Sequence, residues 1–345
     1  MRNPFTTAPP QSAERKPGQL TQRQIDQFFD DGFLLLENFY DIESDLEPCR
    51  RATEDLVEVE IAQRLLRGGK ITELDLFHRL TALHADFEGA SVILHKLMIL
   101  PQAYQNVWAN EKMLNVMEQL IGADVDIAGH PVWNLRPKTP QNTYHDVPWH
   151  QDSAYLDETS YGTLQVTCWI PLIDTNAKNG CLQVVRGGHK AKKVAQHKGC
   201  YQNTWYIWTD AEDLESDLGV NMETSVVTCD VPYGGVLLFS NLLPHRSLPN
   251  TSDKIRWSLD LRYQDASKPA SFYGIKEGIL LRKHSDPSYK PNFESWGILD
   301  RTKKQGEMVG SDITSDEYDF TSAGPWMKRW PIVHENIHTA RLKQT

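Results

Sequence analysis

His150 and Asp152 stand two apart in Pro148-Trp149-His150-Gln151-Asp152, and His245 and Arg256 follow far downstream. Imidazole and carboxylate together suit iron(II), and three such ligands leave other coordination positions open for reacting molecules. On a β-strand, residues two apart leave the same face. A short strand would therefore deliver His150 and Asp152 from one side, with His245 completing a two-histidine, one-carboxylate set. A 2-oxo acid chelating that metal would need a buried cation for its far carboxylate. Arg256 suits this role, because a planar guanidinium pairs a carboxylate in bidentate fashion and stays charged when buried. Ser247, two residues beyond His245, offers a hydroxyl.

The His-x-Asp pattern occurs three times, so the tripeptide alone says little. His84-Ala85-Asp86 lies in a helical pattern, where residues two apart diverge. His284-Ser285-Asp286 is followed by Pro287 in a polar, turn-rich stretch. Only His150-Gln151-Asp152 has strand-like flanks and a downstream partner.

The surrounding chain must supply a scaffold for these residues. Its 345 residues allow one large domain or two modest ones, with 40% hydrophobic and 24% charged residues. A net charge of −10 disfavours nucleic acid and anionic membranes as partners and leaves a small-molecule substrate. Five cysteines without a Cys-x-x-Cys pair suit a reducing compartment. No apolar run approaches membrane-spanning length, and the opening residues lack the apolar core of a secretory signal. Cytoplasm is the expected location.

Residues 1–18 hold four prolines and predict a disordered tail, and 19–345 predict a single domain. Thr21 with Gln24 forms a capping-box pattern before Ile25, Phe28 and Phe29, and Gly32 is placed to end that helix. Phe33–Glu37 reads as a buried strand, and the pattern up to 124 is mainly helical. Beyond it, alternation predicts strands over Val125–Leu135, Gln151–Leu156, Thr163–Ile173, Leu182–Val185, Ser225–Val231, Gly235–Phe239 and Ile255–Gln264. Such spacing suggests a sandwich or closed barrel occupying 125–264. Residues 265–345, with Trp296, Trp326 and Trp330, read as an extension packing on that core. In Ile255–Gln264 one face is apolar and the other carries Arg256, Ser258, Asp260, Arg262 and Gln264; inside a barrel this polar face points inward. Gln165, Thr167 and Trp169 are expected on the pocket side of their strand.

These residues resemble the phytanoyl-CoA dioxygenase family of iron(II)- and 2-oxoglutarate-dependent oxygenases. The resemblance runs from about 21 to 264. It is carried by Gln27–Asn38, Pro148–Asp152, Trp169–Asp174, Asn179–Leu182, Gly187-Gly188-His189, His245-Arg246-Ser247, Asn250 and Arg256. It implies a mainly β protein with helices: a double-stranded β-helix, or jelly-roll barrel, wrapped by N-terminal helices. It also implies iron(II) on His150, Asp152 and His245, 2-oxoglutarate on Arg256 and Ser247 with Trp169 and Gln151 nearby, and dioxygen as co-reactant. Hydroxylation of an unactivated C–H bond with release of succinate and carbon dioxide is then expected, because Asp152 fills the position that halogenating relatives leave to a halide. Desaturation or ring closure begins the same way. Arg262, Gln165, Tyr155, Lys138 and the Trp205–Trp208 cluster are candidates for the substrate entrance. Arg262 would either receive a second acid group or pair with Asp260. His130, His145 and His189 are expected to be structural or to face substrate. A catalytically silent relative binding a small acid is the rival reading, as is a cupin-type isomerase, whose His-x-His pattern is absent.

Overall fold

The computed structural model describes residues 16–62, 73–297, 308 and 319–342. Of the expected tail, 1–15 lie outside these residues. The remainder is held in place: Asn115 Nδ2 donates to the Pro17 carbonyl (2.9 Å) and Lys16 pairs with Glu118.

Thr21 caps the helix Gln22–Asp31, accepting from Gln24 N while Gln24 Oε1 accepts from Thr21 N (2.8 Å). Gly32 ends it at φ +87°, where a Cβ would collide with the His189 ring and Leu243. The chain turns directly into β1 (Phe33–Leu36), which pairs with β7 (Val236–Ser240). Helices such as Gln102–Trp108 and Glu111–Leu120 then pack on the outside of the larger sheet, Tyr104, Trp108 and Met113 meeting Trp257, Leu259, Leu261 and Tyr263.

Two antiparallel sheets form the barrel. The larger has the order β1, β7, β4 (Val166–Pro171), β9 (Arg256–Asp265), β2 (Ile127–Gly129), β10 (Ile279–Arg282), with β3 (Asn134–Lys138) also pairing β9. The smaller runs β6 (Val226–Cys229), β5 (Leu182–Val185), β8 (His245–Ser247). Between them Phe33, Trp169, Leu237 and Phe239 face Leu182, Val184 and Cys229. β9 is buried on both faces, so its polar side looks into the barrel rather than at water. No helix among the described residues is long and apolar enough to cross a membrane.

Two strand expectations are corrected. Val125–Leu135 is not one strand: β2 stops at Gly129 and β3 starts at Asn134, because Pro131 between them has no N–H to donate. Gln151–Leu156 is not a strand either. His150 makes a single bridge to His245, and Asp152–Tyr155 is a 3₁₀ turn. The ladder ends because the Gln151 N–H goes to His197 Nε2 (3.2 Å) and Ser153 N to the Asn241 carbonyl (3.2 Å).

Candidate metal centre

His150 and His245 are joined by two backbone hydrogen bonds, His150 N to His245 O (3.0 Å) and His245 N to His150 O (2.9 Å). This pairing brings ligands distant in sequence side by side, their rings 4.2 Å apart. Each ring is held the same way: His150 Nδ1 lies 2.8 Å from the Pro148 carbonyl, and His245 Nδ1 3.0 Å from that of Leu243. Nδ1 is therefore the protonated nitrogen, and Nε2 keeps its lone pair. The two Nε2 atoms stand 3.8 and 3.9 Å from Asp152 Oδ1. That is too far for a hydrogen bond and close enough to share one ion. All three residues are buried, and theirs is the one group of three His, Cys, Asp or Glu among the described residues that could hold a metal. The donor set fits iron(II).

The surroundings prepare each ligand. Arg262 grips Asp152 with Nε on Oδ2 and Nη2 on Oδ1 (both 3.0 Å), and Thr167 Oγ1 adds a bond to Oδ2 (2.9 Å). Burial alone would raise the Asp152 carboxyl, but the Arg262 guanidinium holds it well below the usual carboxylate range. Burial, with His150 alongside, pushes His245 down to about 3. The ligands thus rest as a carboxylate and a neutral imidazole, the forms that bind a metal.

The cluster sits where two cavities meet. On one side is a space of about 500 Å³ lined by Arg256, Lys138, Ser247, Trp169 and His145. Lys138 and Arg256 are cross-strand partners in the β3–β9 register. Arg256 is 3% exposed, stacks on Trp169 at 5.2 Å, and donates from Nη1 to Ser258, while its Nε has no partner. A buried guanidinium with an unused N–H lacks its anion, and a dicarboxylate supplies one. Lys138 Nζ donates to Ser247 Oγ (2.9 Å), the His145 carbonyl (2.9 Å) and Asp146 (2.7 Å). Burial pulls its ammonium down to about 7.

On the other side lies a cleft with about 860 Å³ of empty space, part of it open to solvent. Tyr155, Trp205, Tyr206, Phe272 and Trp326 give it aromatic walls, and Gln165, Asn134 and Arg136 supply polar groups.

Several expectations change at this point. Gln151 lines neither cavity; its amide donates to the Lys193 and Leu242 carbonyls and accepts from Ala195 N, bracing the ligand loop. Lys138 stands at the Arg256 end rather than at the entrance. Arg262 is not free for a second acid group, and the partner of Asp260 is Arg136 (2.8 Å). Trp208 does not line the cleft, whereas Trp205 and Tyr206 do. Gln165 and Tyr155 are there as expected, with the Tyr155 ring edge-on to His150 at 5.6 Å. His130, bonded to the Ala270 carbonyl (2.7 Å) and to Val132 N (3.1 Å), lies on the wall of the cleft, whereas His189 lines neither cavity and meets the Phe29 carbonyl (2.9 Å). Arg136 is the residue that sequence reasoning missed, although it shares the inward face of its strand with Lys138; Thr167, expected on the pocket side, is there bonded to Asp152.

A family model described as phytanoyl-CoA dioxygenase (PhyH) matches residues 28–258. The 1-deoxypentalenic acid 11-beta-hydroxylase of Streptomyces exfoliatus is 26% identical over 258 residues, covering 73% of this chain and 84% of that protein. A probable alpha-ketoglutarate-dependent hypophosphite dioxygenase of Stutzerimonas stutzeri is 23% identical, covering 75% and 85%. Among solved structures, the non-heme monooxygenase ThoJ in its apo form superposes with a TM-score of 0.53 at 16% identity, covering 83% and 99%. EctD from S. alaskensis with 2-oxoglutarate and 5-hydroxyectoine gives 0.50 at 16%, covering 83% and 86%. These two likenesses are of fold.

Proposed function

The chain belongs to the phytanoyl-CoA dioxygenase family, and from that premise we propose that it hydroxylates an unactivated C–H bond of a small organic metabolite with a largely apolar body. It is an iron(II)- and 2-oxoglutarate-dependent oxygenase that uses dioxygen. Bound iron supplies the oxygen activation, 2-oxoglutarate leaves as succinate and carbon dioxide, and the substrate gains a hydroxyl.

The chain's own residues divide the work. His150, Asp152 and His245 hold the iron, their Nδ1–carbonyl bonds and the Arg262 clamp fixing the donor atoms before metal arrives. Arg256 takes the far carboxylate of 2-oxoglutarate, with Lys138 and Ser247 beside it and Trp169 beneath the guanidinium. Aromatic walls hold the substrate body over the ligands and exclude water from the reacting carbon. The relatives' acid and hypophosphite substrates belong to those proteins; both arginines of this cleft already have carboxylate partners. Five buried, unpaired cysteines support work in a reducing compartment, the cytoplasm.

The observation that carries the reading is the His–Asp–His cluster at the junction of two cavities, one of them ending on an arginine without an anion. Calorimetric titration of the anaerobic iron(II) protein with 2-oxoglutarate tests it. One site per chain is expected, weakened at least about tenfold in Arg256→Gln, the loss of a charged hydrogen-bond partner. Equal affinity in that variant would remove Arg256 from the role.

A further inference from the structure

Residues 319–342 lie beyond the family match, yet they are built into the candidate centre. Arg329 Nη1 donates to the Ser153 carbonyl (3.0 Å) and to that of Leu156, and Trp330 Nε1 donates to the Ala154 carbonyl (2.9 Å). Ser153 O already accepts from Leu156 N (3.2 Å) and Leu156 O from the Tyr273 hydroxyl (3.1 Å), so Arg329 adds a second bond to each while Trp330 meets the Ala154 carbonyl, and the segment braces the turn that carries a metal ligand. The same segment presents Trp326 to the cleft, 6.2 Å from Tyr155. Gly324 makes room for it: a Cβ there would strike the Trp326 ring.

Two residues that line this cleft each hold a buried polar atom without a partner, Trp326 Nε1 and Gln165 Oε1. Trp326 is 7% exposed and Gln165 fully buried. The Gln165 oxygen is fixed as an acceptor by its neighbours. Gln264 Nε2 donates to the carbonyls of Lys268 (3.0 Å) and Pro269 (3.1 Å), so Gln264 Oε1 faces Gln165 and receives its Nε2 at 3.1 Å. That leaves Gln165 Oε1 an acceptor without a donor, on a residue that lines the cleft. An indole N–H can only donate. A ligand that fills the cleft and brings an acceptor to Trp326 and a donor to Gln165 gains two hydrogen bonds that a ligand without these groups forgoes.

We propose that the 319–342 segment forms the substrate-side wall, and that Trp326 Nε1 and Gln165 Oε1 select a substrate bearing a neutral donor–acceptor group, a hydroxyl or carboxamide, on its apolar body. A carboxylate meets Trp326 but sets an oxygen against Gln165. This rests on the cleft being the substrate's place. It assigns recognition to a residue outside the family's shared span.

The test uses the full-length chain, labelled with ¹⁵N at the tryptophan indoles and loaded with zinc(II) in place of iron and with 2-oxoglutarate. Matched probes are added: cyclohexanol, cyclohexanecarboxamide and cyclohexanecarboxylate. Trp326→Phe identifies the Trp326 signal. The alcohol and amide are expected to shift it, and the carboxylate to bind at least about tenfold more weakly. Gln165→Leu should bring the three probes within about twofold of one another, and this arm stands alone if Trp326→Phe does not fold. An unmoved Trp326 signal with every probe, a preference for the carboxylate, or a preference unchanged in Gln165→Leu overturns the proposal. Because the readout needs no turnover, succinate formation without these shifts defeats this inference alone. Shifts without succinate formation defeat the oxygenase reading instead.

Discussion

Asp152 has one oxygen facing the two imidazoles and a second occupied by Thr167, while Arg262 grips both. The clamp fixes which oxygen is offered to a metal. Arg262→Gln should therefore lower iron(II) affinity by about 10- to 100-fold, read by anaerobic metal titration; an unchanged affinity would make the pair merely structural. Lys138 gives a pH signature at the other end of the site. Its ammonium, pulled down to about 7 by burial and by Arg256 and Arg136 despite Asp146, half-titrates near neutrality. A bound dianion favours the protonated form, so 2-oxoglutarate should bind with proton uptake. Affinity should be greatest below pH 7 and fall as pH rises, by up to about tenfold per unit, until the raised pKa of the complex is passed. Calorimetry in buffers of different ionisation enthalpy measures the uptake, and Lys138→Met should abolish it. The sequence made the triad and Arg256 legible through spacing and residue type. It could not reveal that Arg262 closes on Asp152, because the partner of an inward arginine depends on packing between strands and the ligand turn. The resemblance placed Gln151 near the pocket, but where an amide finds its carbonyls depends in the same way on packing.

The helix Gln22–Asp31 and its Gly32 terminus were readable because capping chemistry is local: the box at Thr21 and Gln24 and the left-handed glycine involve only neighbours in the chain. Their energies should separate. Thr21→Ala should cost about 1 kcal/mol. Gly32→Ala should cost more, since it combines positive φ with a collision against His189 and Leu243. Urea midpoints of the two variants give the order, and the reverse order would mean that the turn relaxes. The ligand segment was not readable as a 3₁₀ turn, because alternation predicts a strand until its hydrogen-bond partners run out. They do so one residue after His150, where His197 and Asn241 intervene. Arg329 braces the turn from the far end of the chain. Arg329→Ala removes two bonds from a half-buried guanidinium and should cost roughly 1–3 kcal/mol of global stability, and should also weaken iron(II) binding; a loss of stability without a change in metal affinity would separate the segment from the centre.

Taken whole, an acidic chain encloses a cationic interior. The net charge is −10, while Lys138, Arg256 and Arg262 lie buried, and Arg136 half-buried, along the inward faces of β3 and β9. The jelly roll makes this possible by burying both sides of β9, helices against one and the smaller sheet across from the other. Sequence alternation foretold the polar face but could not by itself separate solvent from barrel interior. The inward arginine needed the metal triad beside it to be read as functional. The direct measurement is succinate formation after oxygen is admitted to anaerobic protein holding iron(II) and 2-oxoglutarate, across a metabolite panel that includes apolar alcohols and amides. The wild-type chain should form succinate, and His245→Ala and Asp152→Ala should form none above the metal-only background. Succinate at wild-type rates in either variant, or none from the wild-type chain, would contradict the assignment of this centre.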